Sequence, residues 1–249
     1  MNAIAAMLPE WAKQSLRQLG NAVRAVPYRG LGRFCPVCGK SSSRFRRFGI
    51  VPREDAECAH CGAFERHLLL WLFLSEKTDL FDGRPKTMLH VAPEPCLEPR
   101  LRKRLGGGYV TADLFSPRAM VKMDISDIHY GDQSFDLIYC SHVFEHVPDD
   151  RRAMREFFRV LKDEGWAILL VPIESDRTFE DPSIVDPKAR LEAFGQEDHV
   201  RRYGADYVER LRDAGFTVQV SKVEDLANGE ETVTMGLTPA SGEIYYCTK

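Results

Sequence analysis

The stretch from Ser134 to Pro172, SFDLIYCSHVFEHVPDDRRAMREFFRVLKDEGWAILLVP, constrains the fold more than any other part of this chain. Asp136 to Cys140 is a short apolar run of the kind that fills a buried parallel strand. Residues 148–161 have acids in the first turn and apolar side chains at helical spacing, which predicts a helix. Trp166 to Val171 is a second apolar run that follows a glycine. This order predicts a right-handed βαβ unit.

The loop from Ser141 to Pro148 lies at the carboxyl end of the first of these strands. Ligands bind at that end of the strands in open α/β sheets. His142, Glu145 and His146 therefore lie where chemistry is expected.

The same stretch resembles the class I S-adenosylmethionine-dependent methyltransferases, in particular their type 11 group. In that group an SFD strand, an EH-containing loop and an R-V-L-K-x-x-G turn recur in this order. The resemblance covers residues 85–173 and extends more loosely to the C-terminus. It implies an α/β fold, with a Rossmann-like, mostly parallel seven-stranded sheet and helices on both faces, and S-adenosylmethionine as the cofactor.

Composition bounds the rest of the chain. With 249 residues and 44% hydrophobic content, the chain is long enough for one α/β domain and a small appendage. The 34 basic residues are balanced by 37 acidic ones, so the overall charge does not favour a nucleic-acid partner. No apolar run is long enough to span a membrane and no secretion signal is apparent, so we expect a cytoplasmic protein of undetermined oligomeric state.

We predict three parts. Residues 1–30 form an amphipathic helix, residues 31–75 a zinc ribbon with a docking helix, and residues 76–249 the S-adenosylmethionine-binding methyltransferase domain. The first helix interleaves apolar and basic residues, as a membrane-surface helix does. Its charge is modest, which favours packing on its own domain or on a partner.

Two C-x-x-C motifs, each followed by a glycine, predict a metal module. Cys35, Cys38, Cys58 and Cys61 have the spacing of a tetrahedral structural Zn²⁺ site, with 19 residues between the motifs. Disulfides are disfavoured without a secretion signal, and a redox role is disfavoured because neither motif opens a helix of a thioredoxin-like unit.

The RFRRF run at residues 44–48 interleaves arginines with aromatic residues. A stacking surface for nucleic acid has this pattern, and so does a ribbon strand with one face in water. We favour the strand. Nucleic acid remains a partner that the sequence allows but does not favour.

The expected cofactor loop departs from the family pattern. The resemblance makes residues 87–91 the first strand and implies an acid at its end, followed by a G-x-G-x-G loop. The chain has His90, Val91, Ala92, Pro93, Glu94 and Pro95 there. Our hypothesis is that Glu94 replaces the missing acid and holds the cofactor's ammonium group, with His90 and Ala92 beside it; His90 equally suits a hydrogen-bonded core histidine.

The next predicted cofactor contacts follow the family pattern. Asp113 ends a strand where a carboxylate accepts hydrogen bonds from the ribose hydroxyls. The resemblance places Asp124 and Ile125 at the adenine, although Asp124 also suits a helix cap. Cys140 and Ser141 complete the predicted cofactor set.

Three histidines are candidate general bases, because imidazole titrates near neutral pH. They are His199, the leading candidate, and His142 and His146. The resemblance favours a structural role for the EH pair, Glu145 and His146. In the polar segment 194–203 we predict substrate contacts by Gln196, Asp198 and Arg201. A solvated surface loop is the competing interpretation.

Three functions follow from these patterns. The first is a methyltransferase acting on an oxygen or nitrogen of a small molecule, for example a sugar or another metabolite. The second is a methyltransferase guided to RNA or protein by the zinc ribbon. The third is a cofactor-binding protein whose altered loop supports different chemistry, or none.

Overall fold

The structure is a computed structural model that describes residue 20, residues 23–49 and residues 52–249. These residues form two compact units. The smaller unit comprises the described residues up to Lys77, together with Pro95–Leu97 and Val223–Ser241. The larger unit comprises Thr78–Glu94, Glu98–Lys222 and Gly242–Lys249. The helix predicted for residues 1–30 lies mostly outside the described residues, and the three-part division stays a prediction.

The strands are β1 (Arg33–Cys35), β2 (Lys40–Ser42), β3 (Arg46–Phe48), β4 (Arg53–Glu57), β5 (Met88–Val91), β6 (Tyr109–Asp113), β7 (Val121–Lys122), β8 (Phe135–Ser141), β9 (Leu161–Leu170), β10 (Ile173–Ser175), β11 (Phe179–Glu180), β12 (Arg201–Gly204), β13 (Thr217–Ser221) and β14 (Ile244–Thr248). The helices are α1 (Glu65–Glu76), α2 (Glu98–Leu105), α3 (Asp150–Val160), α4 (Pro187–Phe194), α5 (Tyr207–Asp213) and α6 (Gly229–Met235). Short 3₁₀ turns include Phe144–His146.

A seven-stranded sheet forms the core of the larger unit, in the order β13-β14-β9-β8-β5-β6-β7. Strand β14 runs antiparallel to both of its neighbours, and the other pairs are parallel. The predicted Rossmann-like, mostly parallel sheet is confirmed. All four residues of the central strand β5 are buried, as expected of a strand covered on both faces, and they include the polar His90.

The βαβ unit is present as β8, α3 and β9. Helix α3 begins where Asp149 caps it, since the Asp149 carboxylate accepts a hydrogen bond from the Arg152 backbone N–H at 2.9 Å. Strand β9 begins at Leu161, before the predicted apolar run from Trp166 to Val171, because Leu161 already pairs with Phe135 of β8. The register of the two strands shifts after this pair. Gly165 lies in this shift, where an added Cβ would lie 2.6 Å from the Asp136 carbonyl oxygen.

A second, three-stranded sheet has the order β10-β12-β11. Strands β10 and β11 lie between Ile173 and Leu191, a segment that the sequence predicts to be an irregular loop because it contains Pro182 and Pro187. Pro187 is the first residue of α4, where its missing N–H is not needed. The Asp186 side chain caps this helix by accepting hydrogen bonds from two backbone N–H groups, each at 3.0 Å.

Among the helices that the structure describes, we find none with the length and apolar character that crossing a bilayer requires. The expectation of a cytoplasmic location stays a prediction.

Candidate functional site

The carboxyl ends of the parallel strands bring several of the predicted site residues to one edge of the sheet. Two non-glycine residues adopt the left-handed backbone conformation there: Ala92 after β5, with φ of 49°, and His142 after β8, with φ of 55°. This conformation costs an L-residue about 1–3 kcal/mol and is concentrated at functional sites. Ala92 therefore adopts a glycine-like backbone turn although the loop contains no glycine.

A buried hydrogen-bond chain ends on the Glu94 carboxylate. Tyr109 donates its hydroxyl hydrogen to His90 Nδ1 at 2.7 Å, because burial raises the pKa of Tyr109 and keeps the phenol protonated. His90 Nε2 then donates to Glu94 Oε2 at 2.7 Å, and Tyr139 donates to Glu94 Oε1 at 3.1 Å. Both ring nitrogens of His90 are thus engaged within the protein. This favours a role for His90 in holding Glu94, while its direct contact with a cofactor stays a prediction.

Asp113 and Asp124 lie at the ends of the next two strands and share one arrangement. Asp113 Oδ1 accepts hydrogen bonds from the backbone N–H groups of Phe115 and Ser116, each at 2.7 Å. Asp124 Oδ1 accepts from the Ser126 backbone N–H at 2.8 Å and from its hydroxyl at 2.7 Å. Within the described residues, Oδ2 of each carboxylate accepts no hydrogen bond. Each acid therefore fixes its own loop with one oxygen, and its contact with a cofactor stays a prediction.

Cys140 and Ser141 lie at the buried end of β8. Burial, with smaller contributions from the charges of Glu145 and Glu94, raises the pKa of the Cys140 thiol well above its usual value. This thiol is therefore neutral and is a poor nucleophile. The Ser141 hydroxyl is buried and has no hydrogen-bond partner among the residues described. An orphan hydroxyl at this edge suits a bound ligand, and the contact of both residues with a cofactor stays a prediction.

The 3₁₀ turn after β8 and the segment before β12 bring Glu145, His146 and His199 together. Each offers a ligand atom, and the three atoms lie within 4.8 Å of one another. The imidazole rings of His146 and His199 meet edge to face, with centroids 4.7 Å apart. Two of the three predicted bases thus share one cluster. The third, His142, has its Nδ1 3.3 Å from Glu145 Oε1.

The predicted substrate contacts differ in exposure. Gln196 and Asp198 are exposed, and Asp198 Oδ2 lies 3.1 Å from His146 Nδ1. Arg201 is only 3% exposed. Its guanidinium donates to the carbonyl oxygens of Phe144, Val147 and Pro148 at 2.5–2.8 Å. These contacts favour a positioning role for Arg201 on the turn that carries Glu145 and His146, and its substrate contact stays a prediction.

An ionic network extends from the buried Arg201 to the partly exposed Glu180, and sequence reasoning missed it. Glu180 accepts hydrogen bonds from Arg201 at 2.9 Å and from Arg210 at 2.8 Å. Asp150 accepts from Arg210 at 3.0 Å and from the Tyr203 hydroxyl at 2.6 Å. The hydrogen bonds from Arg210, supported by those from Arg201, lower the pKa of Glu180 to about 2. Because these residues come from four separate elements, no local pattern signals the network.

In the smaller unit, the four cysteines converge as the spacing predicts. The Sγ atoms of Cys35 and Cys61 lie 3.7 Å apart, and those of Cys38 and Cys58 lie 3.8 Å apart. Four sulfurs at about 2.3 Å from a tetrahedral zinc ion lie about 3.8 Å from one another. The four sulfurs therefore fit Zn²⁺.

The two glycines that follow the C-x-x-C motifs permit this approach. Gly39 and Gly62 adopt positive φ angles of 67° and 77°. Their N–H groups donate to the carbonyl oxygens of Cys35 and Cys58 at 2.8 and 2.9 Å. Each motif is thereby closed into a tight turn.

The arginines of the RFRRF run are paired within the ribbon. Arg46 lies 2.6 Å from Glu57, and Arg47 lies 3.2 Å from Glu54. Phe45 is buried. Because two of the three arginines face carboxylates and one aromatic side chain fills the ribbon core, this surface has few charges available for phosphates.

Part of the larger unit is similar in sequence to a known family. The sheet of this unit is Rossmann-like and mostly parallel, with a single antiparallel strand next to one edge. The family described as Methyltransferase domain matches residues 100–169, from within α2 to the end of β9. Residues 100–169 of the larger unit are therefore similar to a methyltransferase domain. The match begins after the glycine-free loop, so the departure at residues 90–95 lies outside it.

Two relatives are similar over about 100 residues. A sarcosine/dimethylglycine N-methyltransferase from Halorhodospira halochloris is 32% identical over 39% of this chain and 33% of its own length. Phosphoethanolamine N-methyltransferase 1 from Arabidopsis thaliana is 29% identical over 39% of this chain and 19% of its own length. The chain thus spans a third or less of these relatives.

Among solved structures, an S-adenosylmethionine-dependent methyltransferase from Mesorhizobium loti is similar, with a TM-score of 0.45 at 15% identity. The similarity covers 68% of this chain and 95% of that one.

Proposed function

We propose that this protein is an S-adenosylmethionine-dependent methyltransferase that acts on an oxygen or nitrogen atom of a small molecule. The match of residues 100–169 to a methyltransferase domain carries this proposal. The printed names of the two relatives, whose acceptors are small amines, support it. The acceptor of this chain is a separate question, because the similarity covers only part of each relative.

The residues at the sheet edge fit the cofactor. Glu94 would hold the ammonium group, Asp113 Oδ2 the ribose hydroxyls, and Asp124 with Ile125 the adenine. S-adenosylmethionine, when bound, supplies an electrophilic methyl group on a sulfonium. The protein then needs to align the acceptor with this methyl group and exclude water.

On the acceptor side, the cluster of Glu145, His146 and His199 is the strongest group of polar side chains. The lone pair at His199 Nε2 suits a proton acceptor, in line with the predicted base. The same lone pair also suits a metal ion. Gln196 and Asp198 are exposed beside this cluster and are the proposed substrate contacts.

We also propose that the four cysteines hold a structural Zn²⁺. The sulfur spacing and the two glycine turns support it. Guidance of RNA or protein substrates by the ribbon is less well supported, because Arg46 and Arg47 are paired with carboxylates.

Calorimetry with S-adenosylmethionine and its demethylated product tests the proposal. We expect both to bind, and Asp113→Asn to weaken both at least tenfold, since the ribose contact loses its charge. Asp127→Asn is a matched control, because Asp127 is an exposed acid next to His129. Absence of binding by the wild-type protein would refute the cofactor assignment. If the cofactor binds, incubation of the protein with S-adenosylmethionine and metabolite pools, followed by a search for cofactor-dependent methylated products, would identify the acceptor.

A further inference from the structure

We propose that Glu145, His146 and His199 bind a divalent transition-metal ion in the methyltransferase domain. The three ligand atoms lie within 4.8 Å of one another. Ligands at about 2.1 Å from a common ion lie about 3–4 Å apart. Small side-chain rotations therefore suffice to bring all three onto one ion.

Two buried atoms in this cluster lack the partner that a cation would supply. Glu145 Oε2 and His199 Nε2 are buried without a hydrogen-bond partner in the described part of the chain. Glu145 is 2% exposed and His199 5%. An unpaired buried polar atom costs about 1–3 kcal/mol, and more when it carries charge. A single metal ion would satisfy both atoms.

The hydrogen bond of His199 decides which of its nitrogens is available. His199 Nδ1 lies 3.1 Å from the Phe194 carbonyl oxygen, which can only accept a hydrogen bond. Nδ1 therefore carries the hydrogen, and in the neutral ring Nε2 keeps its lone pair. Because the Glu145 carboxylate is also an acceptor, the two orphan atoms cannot satisfy each other.

The outer contacts have the pattern of a metal site. Histidines that bind metals usually donate their second N–H to a carbonyl or carboxylate oxygen, which orients the ring. His199 does so to Phe194, and His146 Nδ1 lies 3.1 Å from Asp198 Oδ2. Glu145 is held through its other oxygen, 3.3 Å from His142.

The backbone that carries the ligands is fixed from two sides. The Val200 N–H donates to the Glu145 carbonyl oxygen at 2.8 Å, which ties the segment of His199 to the turn of Glu145. Arg201 holds the same turn through the carbonyl oxygens of Phe144 and Val147. A metal site requires such preorganised supports.

The ligand types indicate which ion fits. Two imidazoles and one carboxylate suit Mn²⁺, Fe²⁺, Co²⁺ or Zn²⁺ and leave coordination positions open, whereas Mg²⁺ prefers oxygen ligands. The four-cysteine cluster, in contrast, offers only sulfur. The two sites are therefore chemically distinguishable in one protein.

The role of the ion follows from the proposed function and rests on it. An oxygen of the acceptor would occupy an open position, and the ion would lower the pKa of its hydroxyl group. The oxygen would release its proton to solvent and form a bond to the methyl carbon. The carbon–sulfur bond would break with its electron pair remaining on sulfur, which leaves a neutral thioether.

Manganese titration followed by electron paramagnetic resonance tests the site in protein that carries one equivalent of zinc per chain, which the four thiolates take up in preference to the mixed site. We expect one Mn²⁺ site in the wild type, and at least tenfold weaker binding in Glu145→Gln and in His199→Gln. His129→Gln is the matched control, because His129 is exposed next to a carboxylate and should leave the affinity unchanged. Variants that bind Mn²⁺ as the wild type does would overturn the proposal.

A second measurement needs only the wild type and so does not depend on the folding of the variants. Pulsed resonance of bound Mn²⁺ should show magnetic coupling to imidazole nitrogen. Absence of nitrogen coupling, or of any bound Mn²⁺, would overturn the site. Metal binding without S-adenosylmethionine binding would leave the site intact and refute only the proposed function.

Discussion

His90 Nε2 and Glu94 Oε2 are 2.7 Å apart, and this hydrogen bond joins the buried strand β5 to the loop that follows it. The expected cofactor loop lacks the acid and the glycines of the family pattern, but this hydrogen bond gives it a carboxylate in a fixed position. Tyr139 holds the second oxygen of the same carboxylate.

The first prediction concerns this carboxylate. Glu94→Gln keeps the shape of the side chain but removes its charge, so we expect the affinity for S-adenosylmethionine to fall at least tenfold. Calorimetric titration measures the affinity. Glu98→Gln is the control, since Glu98 forms its ion pair with Arg102 on helix α2. Equal affinities of both variants would exclude the ammonium contact.

The second prediction concerns Ala92, whose φ is 49°. Ala92→Gly relieves about 1 kcal/mol of backbone strain in the folded state. It also stabilises the unfolded chain by a similar amount, because glycine has more conformational entropy there, so we expect the free energy of unfolding to change by less than about 1 kcal/mol. Ala92→Val should destabilise the protein by about 1–3 kcal/mol, because a β-branched residue is strained further at positive φ.

Urea unfolding measures both Ala92 variants. Ala112→Gly is the control in strand β6, where glycine should cost about 0.5–1 kcal/mol. Destabilisation by Ala92→Gly as large as that by the valine variant would contradict a glycine-like turn.

The third prediction is a pH dependence of stability from Glu180. Its pKa falls from 4.5 to about 2 on folding, chiefly because Arg210 donates hydrogen bonds to it. Above about pH 4.5 the carboxylate is ionised in both states, so its stabilisation is fully present. Between about pH 4.5 and pH 2 only the unfolded chain takes up the proton, so this stabilisation is lost as the pH falls.

Unfolding curves of the wild type and of Glu180→Gln, measured from pH 6 downwards, test this dependence. The variant should be less stable near neutral pH, and the two curves should converge in acid. Since the Glu180 side chain is 39% exposed, solvent screening limits the size of the effect. A constant difference between the two curves at every pH would contradict the assignment.

The fourth prediction concerns the four cysteines. Cys35→Ser should remove the bound zinc and unfold the small ribbon, whose few buried apolar groups cannot stabilise it alone. Cys247→Ser is the matched control, because Cys247 is a buried thiol in strand β14 whose pKa is raised by burial. Elemental analysis should find zinc in the wild type and in the control. A zinc content of Cys35→Ser equal to that of the wild type would contradict the site.

The sequence alone predicted the elements whose signals are local. These signals are the apolar runs of β5, β6 and β8 and the acids at the start of α3. They can be recognised in the sequence because the periodicity of a strand or helix is a property of its own residues. The four cysteines were predictable for a similar reason, since two C-x-x-C turns present sulfurs in a known geometry.

Only the tertiary structure decided which hydrogen-bond partners His90, Arg201 and His199 have. A sequence pattern does not reveal that His90 lies between Tyr109 and Glu94, or that Arg201 donates to the turn of Phe144. His199 and Glu145 are far apart in the chain, and their orphan lone pairs come together only because β12 ties to the turn after β8. Buried polar groups take their roles from partners that packing brings to them, and those partners are set by the whole fold.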